Sequence, residues 1–133
     1  MSQMIVLDTH IWFWLMASEL DRFPSHWQEI IATAELVGVS AISCFEIALA
    51  QQRGRLELPC LANEWFQEAL EPAGITILPI TPDIAYRAVN LSPVHKDPFD
   101  RLIIATALEY GAKLASVDSL FSNYPELDAH LMK

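Results

Sequence analysis

Four acidic residues in separate parts of the chain are best suited to carry out chemistry: Asp8, Glu46, Asp100 and Asp118. Carboxylates that converge in a cleft repel one another, and their pKa values rise unless a cation neutralises them. Carboxylate oxygens suit Mg²⁺ or Mn²⁺, and the chain has no Cys or His cluster that would favour a softer metal. A water bound to such an ion is more acidic and can attack a phosphodiester. The ion also stabilises charge on the phosphate oxygens.

Alternating strands and helices must bring these acids together. The hydropathy pattern predicts strands at residues 4–7, 36–39, 75–80 and 113–117. It predicts helices at residues 11–17, 27–35, 43–53, 62–70, 83–90 and 98–110. Strands that alternate with helices over short connections indicate an α/β fold of three layers, with a mostly parallel central sheet of four to five strands.

One edge of this sheet is the predicted meeting place of the acids. Asp8 and Asp118 each end a strand-like run, Asp100 lies at a helix start, and Glu46 lies one turn into the helix that follows the second strand. Ligands of open α/β sheets collect at the carboxyl ends of the strands. We therefore expect all four side chains to lean over the same crevice.

Most of the acids also have a purely structural interpretation. Ser43 and Glu46 match the S-x-x-E capping box ahead of an apolar stretch. Asp97, a fifth candidate metal ligand, is a good N-cap, and Asp100 could simply compensate the dipole of the same helix. Asp8 is the hardest to dismiss, because a carboxylate that ends a buried strand is costly to bury without a partner.

Neighbouring polar residues could support the site. Thr9 and Ser116 stand beside the acids and could hydrogen-bond a carboxylate or a metal-bound water, although either could be a turn residue. His10 and His95 could assist proton transfer, but a lone His without a placed partner is more often structural.

The charge balance limits how the chain could bind nucleic acid. A net charge of −9, from 17 acids and 8 bases, counts against broad neutralisation of phosphates. A divalent metal in the acidic pocket, or a basic partner protein, would offset this charge. The bases that could face phosphate are Lys96, Arg101, Arg53 and Arg55, and solvated helix ends are their structural alternative.

Length and composition predict a compact protein. A chain of 133 residues with 53% hydrophobic residues is sufficient for one core, and we expect a single domain over residues 1–133. Cys44 and Cys60 belong to no C-x-x-C pair, so we expect reduced thiols and a cytoplasmic protein. The N-terminal apolar run lacks a basic segment and is interrupted by Asp8, so we expect neither a secretion signal nor a membrane span.

Four motifs, in order along nearly the whole chain, resemble the PIN domain, and more closely the VapC-type toxins of bacterial toxin–antitoxin pairs. They are Leu7-Asp8-Thr9-His10, the S-x-x-E-I-A run through Glu46, the H-x-D-P-F-D-R-L-I-I-A-T-A run at residues 95–107, and the segment from Ser116 to Phe121. This resemblance implies a PIN-like fold and a Mg²⁺- or Mn²⁺-dependent endoribonuclease that acts on RNA. It also implies a homodimer silenced by a cognate antitoxin protein.

The resemblance assigns a role to each acid. Asp8 and Asp100 are similar to the principal metal ligands, Asp118 to the fourth acid of the site, and Glu46 to the acid that holds metal or orients water. Asp97 matches the extra acid of the D-P-F-D variant. Ser116 stands where the family usually has Thr or Ser. A basic antitoxin side chain would enter the acidic pocket, and the groove for the antitoxin could come from Trp12, Trp14 and Phe45, which could equally be core.

Other protein classes fit less well. A haloacid-dehalogenase phosphatase needs a second Asp two residues after Asp8, where this chain has His10. A receiver domain needs an acid pair after the first strand and a Lys near the last, whereas Lys113 begins its strand. A PIN fold that binds RNA or protein without cutting would show the loss of an acid, and all four acids are present.

Overall fold

The computed structural model describes residues 3–133, which form a parallel sheet of four strands flanked by helices. The strands are β1 (Met4–Leu7), β2 (Leu36–Ser40), β3 (Ile75–Leu78) and β4 (Lys113–Ala115), in the spatial order β3-β2-β1-β4. All three neighbouring pairs are parallel, so the carboxyl ends of the strands lie at one edge. The predicted α/β fold with a mostly parallel sheet is confirmed.

Six α-helices connect and cover the strands. They are α1 (Thr9–Met16), α2 (Trp27–Thr33), α3 (Ala41–Gln52), α4 (Ala62–Ala69), α5 (Pro82–Val89) and α6 (Pro98–Glu109). Short 3-10 turns lie at Leu20–Arg22, Glu71–Ala73, Ser119–Asn123 and Pro125–Leu127. No described helix is long and apolar enough to cross a membrane. Cys44 and Cys60 are free thiols.

Two apolar cores cover the two faces of the sheet, because successive strand side chains point to opposite sides. On one face Ile5 and Leu7 pack with the aromatic side chains of α1, α2 and α4. Trp12 is fully buried there, 4.9 Å from the Trp65 ring, and its Nε1 donates to the Ala69 carbonyl at 2.9 Å. Trp12 is therefore core rather than part of a groove.

The opposite face of the sheet packs mainly against α6. Val6 and Leu114 contact Ile103 and Ile104, and all four are essentially inaccessible to solvent. Burial on both faces explains the continuous apolar character of β1. The packing of α6 on this face also places the first turn of α6 beside the carboxyl end of β1.

The start of α3 differs from the prediction. Ser40, the last residue of β2, is the N-cap, and its Oγ accepts a hydrogen bond from the Ile42 N–H at 3.2 Å. The predicted capping box of Ser43 and Glu46 is therefore wrong, since Ser43 lies fully buried inside the helix. The chain passes directly from β2 into α3, which places the N-cap at the last residue of the strand.

Other boundaries differ from the predicted ones by one or two residues. The helix α1 begins at Thr9 rather than at residue 11, because the Asp8 carboxylate caps it. β3 ends at Leu78 and β4 at Ala115, each two residues before the predicted end. The earlier end of β4 leaves Ser116 and Asp118 in the loop beyond the sheet edge, where their side chains are free to face Asp8.

Candidate active site

The four predicted acids lie around the carboxyl edge of the sheet, and among residues 3–133 the side-chain spacing that a metal ion requires is found for Asp100 and Asp118 together with His95. Asp8 directly follows β1, Asp118 lies in the loop after β4, and Asp100 occupies the first turn of α6. Glu46 projects from the second turn of α3. Burial and then the charges of Asp8 and Asp100 raise the pKa of Glu46, and burial and then the charges of Asp8 and Asp118 raise the pKa of Asp100.

Asp8 is the most buried of these acids, with 8% of its surface exposed. Its Oδ1 accepts a hydrogen bond from the Thr9 N–H at 2.8 Å, and its Oδ2 accepts one from the Ser116 hydroxyl at 2.8 Å. Burial raises the pKa of Asp8, although these two hydrogen bonds act in the opposite direction. The Ser116 hydroxyl also accepts the Asp118 N–H at 3.1 Å, so one side chain links two of the acids.

Glu46 is oriented by a chain of hydroxyl groups. The Thr9 Oγ1 lies 2.7 Å from the Glu46 Oε1 and 2.7 Å from the Ser43 Oγ. The Thr9 hydroxyl therefore lies within hydrogen-bond distance of both groups and can donate its single proton to one of them at a time. Burial, followed by the charge of Asp8 and the other acids, raises the pKa of Glu46 to about 7 against the Thr9 hydrogen bond.

Asp100 and Asp97 share a helix start but have different surroundings. Burial and the charge of Asp8 raise the pKa of Asp100 to about 6, and the nearby His95 lowers it. Asp97 is exposed and caps α6, with its Oδ1 accepting the Phe99 N–H at 2.9 Å. The capping interpretation of Asp97 is confirmed, and its charge still acts on Glu46 and Asp100.

His95 belongs to the acidic cluster, which the sequence analysis left open. Its Nε2 lies 3.2 Å from the Asp118 Oδ2 and 3.8 Å from the Asp100 Oδ2. The other Asp118 oxygen, Oδ1, accepts the Leu120 N–H at 2.9 Å. The sequence feature that could have identified His95 is its position in the segment that leads into α6 and its acids. His10, by contrast, is exposed and packs on Trp14, with ring centroids 5.6 Å apart.

Arg101, one of the bases that could face phosphate, is occupied by hydrogen bonds to the backbone. Its three guanidinium nitrogens donate to five backbone carbonyls, those of Ala88, Val89, Leu91, Ser92 and His95. These carbonyls belong to the end of α5 and to the segment that precedes α6. Arg101 therefore holds in place the segment that carries His95.

Two other arginines do lie beside the acids. Arg53 and Arg55, at the end of α3, line a cavity of about 230 Å³ together with Glu46, Asp97 and Phe99. Both arginines are exposed. Lys96 instead lines a separate cavity with Val89 and Leu102. Basic side chains therefore line the crevice on the side of α3.

The family model of the PIN domain matches residues 5–127 of this chain. The chain belongs to the PIN-domain family. It is 36% identical over 115 residues to Ribonuclease VapC22 of Mycobacterium tuberculosis, covering 86% of each sequence.

Solved structures share the same PIN fold. VapBC2 from Rickettsia felis, bound to a DNA fragment from the promoter, matches with a TM-score of 0.71 at 16% identity and 98% coverage of both chains. DNA-bound VapBC from Salmonella typhimurium matches with a TM-score of 0.70 at 16% identity, covering 99% of this chain and 98% of the other. The three-layer PIN-like fold expected from the sequence is thereby confirmed.

The donor set of this PIN domain fits a hard divalent cation. Three carboxyl groups, those of Asp8, Glu46 and Asp100, have raised pKa values, partly because neighbouring carboxylates repel them. A bound divalent ion would relieve this repulsion. Carboxylate oxygens are the ligands that Mg²⁺ and Mn²⁺ prefer. Asp8, Glu46, Asp100 and Asp118 are therefore the residues that could hold the ion.

Proposed function

We propose that this PIN domain is an endoribonuclease that hydrolyses RNA phosphodiester bonds with Mg²⁺ or Mn²⁺ and acts as the toxin of a toxin–antitoxin pair. The observation that carries the proposal is the placement of Asp8, Glu46, Asp100 and Asp118 around one edge of the sheet, where burial and then neighbouring carboxylate charge raise the pKa values of Glu46 and Asp100. The similarity to Ribonuclease VapC22 supports the choice of RNA as the substrate.

The ion would be held mainly by Asp8 and Asp100, with Asp118 and Glu46 completing the site and Asp97 supplying additional negative charge. When bound, such an ion makes a water more acidic and stabilises the charge that develops on phosphate. Thr9 holds the Oε1 atom of Glu46 at 2.7 Å, which keeps this carboxylate aimed for accepting a proton from the attacking water. Ser116 would link Asp8 to the backbone of Asp118 through its hydroxyl group.

The RNA strand would be guided by Arg53 and Arg55. Both line the cavity that also contains Glu46, and neither has a carboxylate within salt-bridge distance among residues 3–133. Guanidinium groups recognise phosphate oxygens through paired hydrogen bonds. In a protein with a net charge of −9, two such groups beside the acids provide a local attraction for a phosphate that flanks the bond to be cut.

The partner in this proposal is an antitoxin that places a basic side chain among the acids. Solved relatives of the same fold are VapBC complexes, which supports a bound antitoxin for this chain. We further propose that the chain is a cytoplasmic homodimer and that residues 1–133 form a single domain. Light scattering of the purified chain would measure the dimer, and limited proteolysis would reveal any second unit.

The deciding experiment is cleavage of a mixed cellular RNA pool by antitoxin-free protein in Mg²⁺, Mn²⁺ or EDTA. Asp8→Asn and Asp100→Asn should each lower the metal-dependent rate by about a hundredfold or more. Asp83→Asn is the matched control, since Asp83 is exposed on α5 and should leave the rate unchanged. If the folded wild-type protein cuts no RNA with either metal, the proposal fails, and a PIN fold that binds without cutting takes its place.

A further inference from the structure

A large apolar ring lies exposed beside the acidic pocket. Phe45, on α3, is 54% exposed and is therefore not part of either core. Residues 3–133 contain one other large aromatic side chain of this exposure, Tyr86, whose hydroxyl group water can solvate, whereas Phe45 offers only hydrocarbon. A single exposed apolar residue is common on protein surfaces, so the surroundings of Phe45 decide its meaning.

Two phenylalanine rings stand next to two of the acids. Phe45 directly precedes Glu46 on α3, and Phe99 directly precedes Asp100 on α6. The two rings meet edge to face, with centroids 5.4 Å apart and an interplanar angle of 62°. Such a contact covers only one of the four ring faces, and the exposure of Phe45 shows that much of its ring meets solvent. The pair therefore offers a flat apolar surface at the pocket.

The same face of α3 carries both this ring and a positive charge. Phe45, Leu49 and Arg53 recur every four residues, so they follow one side of the helix over about 12 Å. Leu49, Arg53 and Arg55 line one cavity together with Glu46 and Phe99. One continuous surface thus has an aromatic ring at one end and guanidinium groups at the other, with an acid of the pocket between them.

These two kinds of group suit a nucleotide of a single strand. Proteins that hold single-stranded nucleic acid combine cations for the phosphates with aromatic rings on which the bases stack. A protein segment would match this surface only if it carried an apolar and an acidic side chain at the same spacing, whereas every nucleotide carries a flat base and a negative phosphate. The charge and shape of the surface therefore favour RNA.

We propose that Phe45 is the stacking platform for an unpaired RNA base beside the bond to be cut, while Arg53 and Arg55 hold a neighbouring phosphate. This inference rests on the proposed function and deepens it by naming the substrate class as single-stranded RNA. Bases inside a duplex stack on one another and cannot reach a protein ring. Phe45 is therefore a specificity-determining residue, and Phe99 supports its ring from α6.

The test measures RNA binding by fluorescence anisotropy in the Asp100→Asn background, so that the RNA stays intact. The probe is a labelled single strand of uridines, in which every register offers the same base. Phe45→Leu should weaken binding about tenfold, because it removes the ring face but keeps an apolar side chain. Phe45→Trp should bind at least as tightly as the parent protein. Tyr86→Leu, at a residue 75% exposed on α5, is the matched control and should change nothing.

A second probe separates stacking on a base from a general effect on the pocket. It is a chain of the same length and charge that has ribose and phosphate but no bases. The parent protein and Phe45→Leu should bind this abasic chain equally. Phe45→Leu should also leave the slope of log affinity against log salt for the uridine strand unchanged, because no phosphate contact is lost.

Equal affinities of the parent protein and Phe45→Leu for the uridine strand would overturn the inference and leave this surface to a protein partner. An equal loss on the abasic chain would overturn it as well, since Phe45 would then act by shaping the pocket. The exposed position of Phe45 means that Phe45→Leu should fold, which a thermal melt checks.

The two proposals fail in different ways. A protein that binds the uridine strand through Phe45, but whose wild-type form cuts no RNA, refutes the ribonuclease and leaves the stacking site intact. A wild-type protein that cuts RNA, with binding that does not depend on Phe45, refutes only the stacking site.

Discussion

Thr9 and Glu46 are joined by a hydrogen bond of 2.7 Å, although 37 positions separate them in the sequence. The backbone N–H of the same threonine donates to Asp8 at 2.8 Å. One residue at the start of α1 therefore orients two of the four acids, one through its main chain and one through its side chain. Ser43, buried in α3, completes the arrangement by contacting the Thr9 hydroxyl.

Replacing Thr9 by Val should lower kcat/KM for RNA cleavage about tenfold at saturating Mg²⁺, the effect of losing about 1.4 kcal/mol from one hydrogen bond to a charged group. Val keeps the shape of Thr but cannot hold Glu46. Thr9→Ser retains the hydroxyl and should stay within about threefold of the wild type. Full activity of Thr9→Val together with a loss in Thr9→Ser would show that the methyl group, rather than the hydroxyl, supports the site.

Ser116→Ala should weaken Mg²⁺ binding about tenfold, as measured by calorimetry, because Asp8 loses a hydrogen bond and Asp118 loses the acceptor of its N–H. The matched control is Ser122→Ala, since Ser122 is an exposed serine that contacts only the Ser119 carbonyl among the described residues. Identical Mg²⁺ affinities in the two variants would remove Ser116 from the list of supporting residues.

The metal-free protein should lose stability as the pH rises. The pKa of Glu46 is about 7 against an ordinary 4.5, and the pKa of Asp100 is about 6 against 3.8. Between the ordinary and the raised pKa of each group, the folded chain therefore binds more protons than the unfolded chain. The contribution of these groups to the free energy of unfolding therefore falls with rising pH. In the Glu46→Gln variant the free energy of unfolding should fall less between pH 4.5 and about 7.

Thermal melts of wild type and Glu46→Gln across this range would measure the difference. Saturating Mg²⁺ should reduce this difference in pH dependence between the two proteins, because the ion stabilises the charged carboxylates of the folded state. If the melting temperatures of the two metal-free proteins changed with pH in parallel, Glu46 would not be buried beside other carboxylates in solution.

Arg101→Lys should lower the free energy of unfolding by about 2–3 kcal/mol in urea titrations, because one ammonium cannot reach the five carbonyls that the guanidinium contacts. Arg22→Lys, at an exposed arginine paired with Glu19 at 3.8 Å, should change it by less than about 0.5 kcal/mol. A fully stable Arg101→Lys protein that binds RNA weakly would restore the phosphate-facing role of Arg101.

Arg53→Gln and Arg55→Gln should each weaken RNA binding and reduce the slope of log affinity against log salt by about 0.7, the value for one phosphate contact on a single strand. Binding would be measured in the Asp100→Asn background so that the RNA stays intact. Arg87→Gln removes the same charge from a residue paired with Glu109 and should leave the slope unchanged. A slope insensitive to both site variants would place the RNA on another surface.

The sequence by itself was sufficient for the fold class. Hydropathy reports burial residue by residue, so the apolar run at Met4–Leu7 predicted a strand buried on both faces, and β1 has these bounds. Parallel strands bring their carboxyl ends to one edge, so Asp8, which follows β1, and Asp118, in the loop after β4, lie at the same edge, and their joint role in a site stays a prediction. These inferences need only local pattern and the general geometry of α/β sheets.

Only the tertiary structure decided which polar partner each side chain takes. Tyr124 and His95 are 29 positions apart, and Arg101 meets carbonyls of a preceding helix end and loop. Ser40 rather than Ser43 caps α3 because of how β2 enters the helix. A hydrogen-bonding group can pair with many donors or acceptors of similar strength, so its partner is determined by which groups packing brings within about 3 Å, and that information is not local.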